Sequence, residues 1–234
     1  MATTTATEEY NQYDPPNLPS TEVNFWFRTR RIIGLGFPPD RVHSNVIRLR
    51  IAPSPLDHLV TQLLGLLPVS LQEPLRRHLP EWFLPPLIVV KSQKPDWDDE
   101  FDDELDTYRR LRSLQGSVIP RHFGTARVAG LRAHILSDVG GFSLPLKGAS
   151  GIEDSAFRDM LMRALGALAF QGFIHDDLKL DNFHLVGDRI VVLDLEQMEF
   201  VDSWETRKTV LLSAINDIAG KYTRHHRIAC LKGL

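Results

Sequence analysis

The stretch Gly172–Glu196, GFIHDDLKLDNFHLVGDRIVVLDLE, decides how this chain is read. Residues 175–182 crowd His175, Asp176, Asp177, Lys179, Asp181 and the amide of Asn182 into one short segment. Ionisable clusters on loops held between regular elements are the usual form of a catalytic constellation. The apolar runs 183–186 and 190–193 flank Gly187-Asp188, a tight-turn signal, and predict a β-hairpin. Such a hairpin folds Asp194 back towards Asn182. An amide oxygen and a carboxylate held together are hard oxygen ligands suited to Mg²⁺.

Working outward, an amphipathic helix is expected over about 154–171, with Met160 or Met162, Leu165, Leu168 and Ala169 inward and Gly172 closing it. Downstream, Leu211, Ile215, Ile218 and Tyr222 form one stripe of a terminal helix, followed by a small basic tail. Upstream, Trp97, Phe101, Leu105, Tyr108, Leu111 and Leu114 recur at helical spacing up to Gly116. That helix starts acidic (Asp96–Asp106) and ends with Arg109, Arg110 and Arg112, which complements the helix dipole. LIVVK, residues 87–91, is short, β-branched and preceded by Pro85-Pro86, and reads as a buried strand. Strands over 125–128 and 133–137 join around Gly130, and Asp138-Val139-Gly140-Gly141 breaks the sheet. Thirteen of the fifteen prolines lie in the first 95 residues, so the front third reads as stiff and interrupted. Within it, HSNVIRLRI (43–51) alternates like a half-buried strand, Ser54-Pro55 starts a helix that ends before Pro68, and a second helical piece follows over 71–79. Residues 1–20 read as a disordered lead.

The 234 residues carry 43% hydrophobic and 24% charged side chains and a net charge of −3. This composition excludes collagen-like repeats and a coiled coil, and it lacks the basic excess of a non-specific nucleic-acid binder. The most lipid-like stretch, 59–69, has about half the length a membrane span requires, so no span is expected. One cysteine, Cys230, and no visible secretory signal point to a reducing, cytoplasmic setting.

His175-Asp176-Asp177-Leu178-Lys179-Leu180-Asp181-Asn182 resembles the H-R-D-L-K-x-x-N catalytic loop of the protein-kinase-like superfamily. Asp194-Leu195-Glu196 stands where that family carries its metal-binding D-F-G. Lys91 matches the strand lysine that contacts the ATP phosphates, Glu104 the helix glutamate that pairs with it, and Ser137-Asp138-Val139 the hinge that meets adenine. The resemblance covers about residues 87–200. It implies an α+β, two-lobed fold: a strand-rich N-terminal lobe over 21–139, with extra N-terminal elements, and a reduced helical C-terminal lobe over 140–234. It also implies an ATP- and Mg²⁺-dependent phosphotransferase that passes the γ-phosphoryl group to a hydroxyl acceptor, either a small molecule or a protein. In that reading Asp177 takes the acceptor's proton, Lys179 neutralises the moving phosphoryl group, Asn182 and Asp194 carry Mg²⁺, and Ser137 and Val139 offer backbone groups to the nucleotide.

The sequence departs from the pattern in several places. No glycine-rich loop directly precedes Lys91; Gly34 and Gly36 form only IIGLGF, far upstream. Asp176 replaces the arginine of H-R-D, Glu196 replaces the last glycine of D-F-G, and little chain follows Asp194 for late helices. These departures favour small acceptors over peptides, and keep open a pseudokinase or nucleotide-sensing module with a protein partner over the shortened lobe. Other residues have plainer readings. His175 is expected to be structural, His225-His226 to belong to a solvated tail, and Cys230 to be a small buried hydrophobe. Of the acidic run only Glu104 stands out, and Trp82 and Phe83 read as packing.

Overall fold

The computed structural model describes residues 20–38 and 44–232. They divide into two compact units, one of residues 20–38, 44–95 and 122–138, the other of residues 96–121 and 139–232. The expected N-terminal lead lies, apart from Ser20, outside the described residues.

The first unit is built on β1 (Thr21–Phe27), β2 (Arg30–Phe37), β3 (Val46–Ile51), β4 (Leu87–Ser92), β5 (His122–Val128) and β6 (Leu131–Ser137). They form one antiparallel sheet in the order β1-β2-β3-β4-β6-β5. The sheet curls until its edges meet. A Cβ on Gly124 of β5 would lie 3.1 Å from the Phe27 ring of β1, and the φ of +143° at Gly124 also favours glycine. The inner face is a closed apolar core of Phe25, Phe27, Ile32, Leu49, Ile88, Val90 and Ile135.

The β1–β2 pair was not legible in the sequence. Inward Phe25, Phe27 and Ile32 alternate with exposed Trp26, Ile33 and Leu35. With apolar residues on both faces, the period of two is hidden. The glycines of IIGLGF belong to this packing: a Cβ on Gly34 would sit 2.2 Å from the Arg50 carbonyl oxygen. Gly34 therefore permits close approach of β2 to β3.

Between β3 and β4 run α1 (Pro55–Gly65) and α2 (Val69–His78). Arg30 ties α1 and the turn that follows α2 to the sheet. Its guanidinium donates to Asp57 Oδ2 at 2.6 Å and to the Glu81 carbonyl at 2.8 Å. Trp82 donates its indole N–H to Thr29 Oγ1 at 3.2 Å, part of the same clasp.

The second unit holds α3 (Asp98–Arg110), α4 (Asp154–Phe170) and α5 (Trp204–Lys232). Its strands are β7 (Phe142–Ser143), β8 (Phe173–His175), β9 (Phe183–Val186), β10 (Arg189–Val192) and β11 (Met198–Phe200), paired as β10-β9-β7 and β11-β8. On α3 the buried side chains are Phe101, Glu104, Thr107 and Tyr108. Helix α4 starts on Glu153, whose carboxylate accepts the Ala156 N–H at 3.0 Å, and Gly172 closes it at a φ of +95°. Met160 faces in and Met162 out. Phe157 of α4 stacks on Tyr222 of α5 with centroids 4.2 Å apart.

Three expectations about α5 are corrected. The basic tail is helical through Lys232. His225 and His226 are not loose, because each donates Nε2–H to a carbonyl, of Pro145 and Leu144, at 2.8 Å. Cys230 is exposed, since the buried stripe of Leu211, Ile215, Ile218 and Tyr222 has ended before it. Among the described residues no helix is long and apolar enough to cross a membrane.

Candidate functional site

Of the residues singled out, Asp177, Lys179, Asn182, Asp194, Glu104 and Val139 belong to the second unit, and Lys91 and Ser137 to the first. In the second unit the β9–β10 hairpin sets the geometry. Val192 pairs with Phe183, and the Leu193 N–H donates to the Asn182 carbonyl at 2.8 Å. Asn182 and Asp194 are thereby brought to the same open end of the hairpin. Asp194 takes a left-handed backbone, φ 52° and ψ 77°, an uncommon state that Asp tolerates better than most residues.

The loop between β8 and β9 is fixed by its own polar groups. His175 is buried; its Nε2 lies 3.3 Å from the Leu193 carbonyl, and the Asp177 N–H approaches its Nδ1 at 3.2 Å. A carbonyl only accepts and an N–H only donates, so the imidazole is neutral with its proton on Nε2. Burial, the largest influence, pushes the His175 pKa down. The Leu193 carbonyl and the Asp194, Asp177 and Asp176 carboxylates oppose that shift. Asn182, also buried, donates Nδ2–H to the Asp177 carbonyl at 3.0 Å. That bond fixes the amide orientation and leaves Oδ1 as its acceptor end. Lys221 of α5 donates to the Leu178 carbonyl at 3.0 Å and pairs with Asp217 at 2.7 Å.

The Asp177 carboxylate is mostly covered, and the exposed Lys179 ammonium meets its Oδ2 at 2.7 Å. The Asp177 hydrogen bond and charge, with smaller help from Asp181 and Asp194, push the Lys179 pKa up. Asp177, Lys179 and Asp194 thus share one electrostatic neighbourhood.

Glu104 is buried on α3, and its Oε1 accepts the Leu195 N–H at 3.4 Å. Glu104, Asp194 and Glu196 each offer a carboxylate oxygen, and these three oxygens lie within 4.8 Å of one another. At an effective dielectric of about 20, two full charges at that distance repel by roughly 3.5 kcal/mol before screening. Three hard oxygen donors so close together are of the kind that could hold a divalent cation. Glu196 entered the sequence reading only as a departure from D-F-G; its place beside Asp194 was missed, and so was Lys221. Only the three-residue turn Leu195–Gln197 returns Glu196 to the cluster.

In the first unit Lys91 is a buried residue of β4, paired across to Val46 of β3 and His134 of β6. The Ser92 N–H donates to the Asn45 carbonyl at 2.8 Å, and Asn45 Nδ2 donates to the Ser92 carbonyl at 3.0 Å, so Asn45 is held beside the end of β4. Ser137 ends β6 opposite Ile88, and the neighbouring Asp138 is held by Arg48 at 2.6 Å. Val139 opens the return segment of the second unit and is half-buried.

Comparison with protein-family models and with curated proteins returned no match. The functional reading rests on the residues.

Proposed function

We propose that this chain is an ATP- and Mg²⁺-dependent phosphotransferase of the protein-kinase-like superfamily that acts on a hydroxyl acceptor. One observation carries the reading: the loop after β8 and the β9–β10 hairpin gather Asp177, Lys179, Asn182 and Asp194 at one end of the second unit. Their order along the chain is that of the resembled catalytic loop and metal motif.

In this reading the Asp177 carboxylate accepts the acceptor hydroxyl's proton and Lys179 places positive charge beside it. Asn182 and Asp194 would hold Mg²⁺, with Glu196 as a further oxygen donor. When bound, the ion supplies charge neutralisation on phosphate oxygens. Lys91 would meet the phosphates, and the Ser137 and Val139 backbone would meet adenine. The test is phosphoryl transfer from Mg-ATP to a panel of small hydroxyl compounds and generic proteins. Asp177→Asn is expected to lower the rate by about 10²–10⁴-fold without loss of fold. Unchanged turnover in that variant refutes the assignment.

A second reading, a pseudokinase that binds nucleotide with little chemistry, is favoured by Gly34 and Gly36. Both are committed to strand packing, and Gly65, the remaining glycine before Lys91, ends α1. Calorimetry separates the two readings: tight Mg-ATP binding without transfer favours the pseudokinase, and no binding at millimolar nucleotide refutes both.

A further inference from the structure

We propose that α1 is a self-association surface through which two copies of this chain pair helix against helix. Leu56, Leu59, Leu63 and Leu66 are 60%, 52%, 56% and 82% exposed. Leu66 lies one residue past α1 but keeps its register, since its N–H donates to the Gln62 carbonyl at 3.2 Å, so steps of three, four and three form one stripe roughly 80° wide at about 100° per residue. This is the a/d spacing of two heptads, the narrow seam of paired helices and not the broader face that packs on a domain core.

The flanks of the stripe suit a second copy. Val60 and Gln62, which border the seam, are uncharged, so like meeting like incurs no repulsion. Asp57, the one acidic residue of α1, is turned to Arg30, whose Nη2 meets its Oδ2 at 2.6 Å. The helix has no Lys or Arg to attract an anionic lipid surface. Residues 1–19 contain three prolines and a single leucine, Leu18, and cannot supply a matching stripe in cis. One self-complementary patch fits a two-fold dimer. Pairing would cover on the order of 800 Å² over both copies, below the standard interface size, so the dimer is weak, with a Kd of roughly 10 μM to 1 mM.

Sedimentation equilibrium of the full chain, over about the same concentration range, tests the proposal. The weight-average mass should rise from 26.6 kDa towards twice that value. Leu59→Lys/Leu63→Lys should weaken association at least tenfold while the circular dichroism spectrum stays unchanged. As an independent check, Leu63→Cys in a Cys230→Ser background should give an oxidised dimer whose yield rises with concentration. A chain that stays monomeric throughout overturns the proposal. So does association unaffected by the lysine variant, or a monomer that cosediments with phosphatidylcholine vesicles through the same leucines.

Discussion

Replacing His175 with leucine should destabilise the second unit and remove a pH dependence from its unfolding. Leucine fills similar space but leaves the Asp177 N–H and the Leu193 carbonyl without the imidazole. An abandoned buried polar group costs about 1–3 kcal/mol, and the Asp177 N–H is only partly buried, so about 2–4 kcal/mol is expected in total. In a chain of 234 residues this lowers the unfolding midpoint by roughly 4–16 °C, at about 2–4 °C per kcal/mol. The pH arm has a definite sign. Burial holds the folded His175 below its ordinary value near 6.5, so between the two values the unfolded chain binds more protons. The native contribution is complete above about pH 6.5 and is lost as pH falls through the folded value, with a slope of at most about 1.4 kcal/mol per pH unit. Urea unfolding at a series of pH values from 4.5 to 8, on the native chain and on His175→Leu, reads both effects. Equal stability of the two chains at pH 7.5, or the same slope below pH 6.5, refutes the assignment of His175 as a neutral bridge.

Three further outcomes follow from packing and charge. Phe157→Ala removes a fully buried ring stacked on Tyr222 and should cost about 3–5 kcal/mol in chemical denaturation. Gly34→Ala drives a methyl group against the Arg50 carbonyl and should cost about 1–3 kcal/mol, with loss of amide protection across β2 and β3 in hydrogen exchange. Under the proposed function, millimolar Mg²⁺ should raise the thermal midpoint of the native chain, and Asp194→Asn should abolish that rise; an unchanged rise in the variant would remove Asp194 from the metal site.

Legibility in the sequence followed periodicity. Helix α3, α4 and the α5 stripe each carry one apolar face and one polar face, so Phe101, Tyr108, Leu165 and Ile218 declared their sides in advance, and the β9–β10 hairpin declared itself by the Gly187-Asp188 turn between two apolar runs. The strands β1 and β2 did not, because exposed Trp26, Ile33 and Leu35 mimic core residues. Within the site, Asp177, Asn182 and Asp194 were legible because a loop and a two-residue turn set their spacing locally. Partners fixed by tertiary packing were not legible. Nothing in the order of residues links Lys221 to Leu178, or His225 and His226 to the carbonyls after β7.

The loop around Asp177 is over-determined for a mere connection. Its amide is held by His175, its carbonyl by Asn182, its carboxylate by Lys179, and the next carbonyl by Lys221 of α5, 43 residues further along the chain. Burying a neutral imidazole and a primary amide to satisfy a turn is an expensive way to join two short strands, since an apolar loop core would desolvate fewer polar groups. What such a network supplies is position: it fixes the backbone from which the Asp177 carboxylate projects, as a reactive group would require. Under the proposed function the hold on nucleotide is less well defined, because Gly34 and Gly36 are spent on strand contact. Catalysis and binding therefore separate into distinct tests. Asp177 is placed by hydrogen bonds within the second unit, so its variant reads transfer, whereas calorimetry with nucleotide reads binding alone.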